Sequence, residues 1–123
     1  MKKRILIVDD EPAVVRILSL RLKDNGYKTF TANDGYQAVK LAKDVKPDLI
    51  LLDLEMPAGG GVSTFDNLKA SFYTSSIPII FITGVPGDEV KKLIMKLGAD
   101  GFFPKPFNFV ELIKKIEELL KSE

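Results

Sequence analysis

In a chain with no His, no Cys and no Trp, the side chains able to do chemistry are few. Asp9 and Asp10 follow one apolar run, Asp53 another, Thr83 a third, and Lys105 stands before Pro106 near the carboxyl end. Without imidazole or thiolate there is no His triad, no Cys nucleophile, no disulfide and no zinc site of the usual kind. Any metal must be a hard ion held by oxygen. Each residue alone has an ordinary role. An Asp caps a helix or turns a loop, a Thr bonds its own backbone, and a Lys lies in water. Brought together, the carboxylates repel, and without a counter-ion at least one has its pKa raised. A Mg²⁺ ion (or Mn²⁺) relieves that repulsion, since it takes one or two carboxylates together with phosphate oxygens and water. Metal, ammonium and hydroxyl around an aspartate suit a phosphoryl group: the cations neutralise charge while a carboxylate attacks phosphorus.

The elements that would position these residues are legible in the apolar pattern. Ile5-Leu6-Ile7-Val8, Leu49-Ile50-Leu51-Leu52 and Ile79-Ile80-Phe81-Ile82 are short, wholly apolar and bounded by polar residues, as strands buried on both faces are. Residues 28–32 alternate, and 101–104 carry Pro104, so these read as edge strands. Helices are expected over 12–23, 36–43, within 63–72, from Asp88 as N-cap to Gly98, and over 109–121 with Asn108 as cap. In the last, Phe109, Leu112, Ile113, Ile116, Leu119 and Leu120 form one apolar stripe. Five strand–helix units call for right-handed crossovers and helices on both faces of a parallel sheet. The expectation is one doubly wound α/β domain over residues 1–123. Ligands bind such sheets beyond the carboxyl ends of the strands, where all five residues fall.

Composition narrows the function further. Eighteen Lys plus Arg against seventeen Asp plus Glu leave a net charge of +1, not the basic footprint of a nucleic-acid binder. The first apolar run stops after four residues, too short for a signal peptide or a membrane span. The expected location is the cytoplasm, with no membrane insertion and no direct nucleic-acid binding.

The ordered set Asp9-Asp10, Asp53 followed by Met56-Pro57, Thr83, and Lys105-Pro106-Phe107 resembles the receiver domain of two-component response regulators, over the whole chain. The resemblance implies a flavodoxin-like fold with strand order 2-1-3-4-5. It implies Asp53 as phospho-acceptor, taking its phosphoryl group from a histidine kinase or histidine phosphotransfer protein, and no turnover beyond the domain's own phosphorylation and dephosphorylation. Asp10 and Asp53 would hold Mg²⁺ directly, Asp9 through water, and Glu55 through its backbone carbonyl. Thr83, Lys105 and Gly84 would bind the phosphoryl group, with the Lys105–Pro106 bond cis. Thr83 and Phe102 would be the switch pair, reported on the face made by the fourth helix, fifth strand and fifth helix. The downstream effector and any homodimer through that face stay open.

Several positions depart from the family pattern. Ala58 is followed by Gly59-Gly60-Gly61, which reads as a mobile loop, and Phe102 lacks the hydroxyl of the Tyr often found there. Glu55 and Val85 flank the site without a signed effect. On the first helix, Val14, Val15, Leu18 and Leu22 share a face, whereas Ile17 and Leu20 fall off it. Ile17, bordered by Val14, is the expected docking point for the phosphodonor. A nucleotide-binding relative of the fold would need a Gly-rich loop where Asp9-Asp10-Glu11 stands. An aspartate-nucleophile phosphatase built on Asp9 and Glu11 would leave the Lys-Pro and Met-Pro pairs unexplained. The alternative kept is a pseudo-receiver that binds partners without being phosphorylated.

Overall fold

A computed structural model of the chain describes residues 1–56, 60–85 and 87–121. Its strands are β1 (Arg4–Val8), β2 (Lys28–Ala32), β3 (Leu49–Asp53), β4 (Ile79–Thr83) and β5 (Gly101–Pro104). They alternate with helices α1 (Pro12–Asp24), α2 (Gly35–Val45), α3 (Gly60–Ala70), α4 (Asp88–Leu97) and α5 (Phe109–Lys121). The strands form one parallel sheet in the order β2-β1-β3-β4-β5, so the three wholly apolar runs are central and the two weaker ones are edges.

Alternation along the central strands divides the core in two. Leu6, Val8, Ile50, Leu52 and Phe81 pack on one face against Ala38 and Ala42 of α2, Phe65 and Leu68 of α3 and Ile94 of α4. Ile5, Ile7, Leu49, Leu51, Ile80 and Ile82 pack on the other against Leu18 and Leu22 of α1 and Leu112, Ile116 and Leu120 of α5. A one-residue slip in any central strand would exchange these two sets, so burial on both faces fixes the register. Each fully buried aliphatic side chain contributes roughly 2 kcal/mol of transfer free energy. The shared register brings the carboxyl ends of β1, β3 and β4 level at one rim.

The helix ends hold three corrections. Asp88 is not the N-cap of α4: Gly87 is, with φ +125°, and Asp88 and Glu89 sit in the first turn, where the helix dipole favours acids. Helix α2 runs from Gly35 to Val45, longer than the expected 36–43, because Asp34 accepts the N–H of Gln37 at 2.8 Å and Lys46 closes the helix in a left-handed conformation. Helix α3 begins at Gly60, three residues before the expected window, so Gly60 and Gly61 belong to a helix and not to a mobile loop. Gly61 is buried there and donates its N–H to the Leu54 carbonyl at 2.9 Å. Pro57, Ala58 and Gly59 lie outside the described residues.

Candidate functional site

Asp53 is the last residue of β3, and Asp9 and Asp10 follow β1 directly. Pairing of β1 with β3 and of β3 with β4 sets these positions side by side, with Thr83 closing β4 next to them. Asp9, Asp53 and Thr83 are buried, whereas Asp10 is exposed. One carboxylate oxygen from each of Asp9, Asp10 and Asp53 lies within 4.8 Å of the others. An all-oxygen set with this spacing suits a hard divalent cation that keeps part of its water shell.

Lys105 reaches the same point from the turn after β5, where its N–H bonds the Thr83 carbonyl at 2.7 Å and its peptide bond to Pro106 is cis. Its Nζ lies 2.8 Å from Asp9 Oδ2, 2.9 Å from Glu11 Oε1 and 3.6 Å from Asp53 Oδ1. Burial alone would depress this ammonium. Hydrogen bonds to Asp9 and Glu11, with the fields of Asp53 and Asp9, outweigh burial and hold it above the ordinary Lys value.

Asp53 shows the opposite balance. Desolvation and the neighbouring Asp9 carboxylate push it up from 3.8 to about 7, although Lys105 and the N–H of Glu55 pull it down. The folded protein therefore holds a proton on Asp53 that the unfolded chain has already lost between about pH 4 and pH 7. Metal-free stability should fall as pH rises through that window. In EDTA, Asp53→Asn is expected to remove this decline and to melt above the wild type at pH 8. Mg²⁺, binding the folded wild type alone, should restore the wild-type melting temperature at that pH. Melting curves of both proteins from pH 4 to pH 8, with and without Mg²⁺, check the prediction.

Two side chains at the rim carry contacts that the residue types did not announce. Glu55 carries its carboxylate onto Thr83 Oγ1, at 2.8 and 2.6 Å through its two oxygens, and accepts the Gly84 N–H at 3.0 Å. Glu11 carries its own onto Lys105. A shared local signal exists in the sequence, Asp-x-Glu at the end of both strands. In each, the Asp Oδ1 accepts the N–H two residues on, at 2.9 Å for Glu11 and 3.2 Å for Glu55.

A sequence model of the response regulator receiver domain matches residues 5–117. The chain belongs to that family. It is 36% identical over 121 residues to the alkaline phosphatase synthesis transcriptional regulatory protein PhoP of Bacillus subtilis, covering 98% of this chain and 50% of PhoP. This chain thus spans about half the length of that curated relative. The chemotaxis protein CheY4 of Vibrio cholerae superposes with a TM-score of 0.89 at 30% identity, over 98% of this chain and all of CheY4. The receiver domain of sensor histidine kinase PA1611 from Pseudomonas aeruginosa superposes with a TM-score of 0.89 at 26% identity. That match covers 98% of this chain and 99% of the neighbour, which has a magnesium ion coordinated in its active-site cleft. Family membership identifies a signalling switch of two-component systems with a flavodoxin-like fold.

In this receiver domain the remaining residues of interest lie nearby or along its flanks. Phe102 pairs with Phe81 across β4 and β5, half-buried against the α2–α4 side of the core. Ile17 is 49% exposed, and Val14 is half-buried against the α1–α5 side. Both line a groove of about 390 Å³ with Glu11, Lys105, Pro106, Phe107 and Phe109. Among the described residues, no helix is long and apolar enough to cross a membrane.

Proposed function

We propose that residues 1–123 form one cytoplasmic receiver that accepts a phosphoryl group on Asp53 from a phosphohistidine of a sensor kinase or phosphotransfer protein. The observation that carries this reading is the convergence of the Asp9, Asp10 and Asp53 carboxylates with the Lys105 ammonium at one rim of the sheet. Asp10 and Asp53 would hold Mg²⁺ (or Mn²⁺) directly, Asp9 through water and Glu55 through its backbone carbonyl. When bound, the cation supplies charge neutralisation for the transferring phosphoryl oxygens. An Asp53 oxygen pair forms the new P–O bond as the donor's P–N bond breaks, and the released imidazole nitrogen keeps that bond's electrons and takes up a proton. Lys105 balances negative charge on the transferring group, and the Thr83 hydroxyl and Gly84 N–H donate to its oxygens.

Thr83 and Phe102 then relay occupancy to the face of α4, β5 and α5, where a downstream partner reads it. The phosphodonor docks in the groove containing Val14 and Ile17, an apolar surface that opens beside Lys105. The domain catalyses only its own phosphorylation and dephosphorylation.

Intact-protein mass after incubation with acetyl phosphate tests the reading. The wild type should gain one phosphoryl group when Mg²⁺ is present and none in EDTA, and Asp53→Asn should gain none in either. Failure of the wild type both to gain mass and to bind beryllium fluoride would leave a pseudo-receiver that binds partners without phosphorylation.

A further inference from the structure

The donors assigned to the incoming phosphoryl group already have anionic partners. Thr83 is fully buried, and its hydroxyl has one proton to give, which the two Glu55 oxygens share. The same carboxylate holds the Gly84 N–H, so one side chain occupies two of the proposed donors. The Asx turn at Asp53 fixes where Glu55 starts, and the Thr83 hydroxyl in turn accepts the Val85 N–H at 3.0 Å. Glu55, Thr83, Gly84 and Val85 are thereby tied into one network across the carboxyl ends of β3 and β4. Glu11 makes a comparable contact with Lys105, but there it is one of three carboxylates around the ammonium, beside Asp9 and Asp53.

We propose that Glu55 is a displaceable internal ligand of the Thr83 and Gly84 donors, which phosphorylation of Asp53 must expel. The inference rests on the phospho-acceptor reading above. A phosphoryl oxygen and a carboxylate cannot both take the single Thr83 proton, and two anions at this distance repel. The phosphoryl-bound arrangement is therefore open only to the fraction of molecules in which Glu55 has swung into solvent, and apparent affinity falls by that fraction. Glu55 itself is exposed, so its departure costs no core packing. Release of Glu55 also frees the hydroxyl that holds the Val85 N–H, which links occupancy of the site to the loop leading into α4. Glu55 is a positioning residue in this scheme, since it acts through Thr83 and Gly84.

Beryllium fluoride with Mg²⁺ supplies an anionic occupant that undergoes no turnover. Titrated by calorimetry, E55A should bind it about tenfold more tightly than the wild type, because a competitor making charge-assisted hydrogen bonds is gone. E55Q keeps an acceptor oxygen but no charge, and should fall between the two. Before any beryllium fluoride is added, the Gly84 amide proton should move upfield in E55A, as loss of its carboxylate acceptor requires. Equal affinities in wild type and E55A, or an unmoved Gly84 amide, would overturn the inference and leave the phospho-acceptor reading intact. Absence of binding in both folded proteins would overturn that reading and the inference together.

Discussion

Lys105→Met is expected to destabilise the metal-free protein by about 3 kcal/mol at pH 8, as removal of one partner from a buried ion pair does. The Lys105 side chain is 14% exposed, and the Asp9 and Asp53 side chains it faces are 0% and 2% exposed. Methionine matches the length of the stem and keeps its packing, so the loss isolates the charge. With the ammonium gone, Asp53 loses its main source of relief, and burial and Asp9 push it above its present value of about 7. Folding would then take up protons at neutral pH, and the stability gap between variant and wild type should widen from pH 5 to pH 8. Mg²⁺ gives the carboxylates another counter-ion, so the gap should narrow when it is added. Chemistry should not recover in parallel: the adduct with acetyl phosphate should form about 100-fold more slowly even at saturating Mg²⁺, because a preorganised cation at the developing charge is missing. Urea unfolding with and without Mg²⁺ measures the first effect and the rate of mass gain the second. Equal stability of the two proteins in EDTA would show that water, not Lys105, compensates the buried carboxylates.

The contrast between Asp53 and Glu55 shows which parts of the site a sequence exposes. Asp53 follows four apolar residues that read as a strand buried on both faces, so its place at the rim follows from burial and run length. The same reasoning places Asp9 and Thr83, and it assigns Ile17 to the exposed border of α1 through the spacing of Leu18 and Leu22. Glu55 follows no such rule. Its side chain crosses from the end of β3 to the end of β4, a span set by the register of two strands and a rotamer choice rather than by any local pattern. Glu11 reaches Lys105 across 94 residues for the same reason. Asp88 failed as a cap because Gly87 can take φ +125° and start the helix one residue earlier than the acidic side chain suggested. Alternation and burial are properties of a segment, whereas a side-chain bridge is a property of two segments already docked.

Gly61 shows the same limit in a form that a single methyl group tests. Read as part of a glycine run, it suggests freedom, yet its φ is not in the positive region that Gly26, Gly60, Gly87 and Gly98 occupy. What it requires is space. A Cβ at this position would collide with the Asp53 carbonyl oxygen and would lie 2.8 Å from Leu54 Cα and 3.0 Å from the Leu54 carbonyl oxygen. All of these are backbone atoms of the strand end that presents Asp53, so no rotamer change relieves the clash. Gly61→Ala is therefore expected to cost about 3 kcal/mol, at the upper end for overpacking. Gly26→Ala supplies the comparison: it meets nothing within 4 Å but must hold φ +90°, which costs roughly 1–2 kcal/mol. The two also differ in function. Gly26 ends α1 at the opposite rim, whereas a shift of α3 away from Leu54 moves the backbone on which the Asp53 and Glu55 positions depend. Gly61→Ala should thus lose most of the Mg²⁺-induced rise in melting temperature, and Gly26→Ala should keep it. An alanine at 61 that melts with the wild type, in EDTA and in Mg²⁺ alike, would mean that α3 rides freely over the end of β3. The close approach seen here argues that it does not, and that the first turn of α3 clamps the corner holding Asp53.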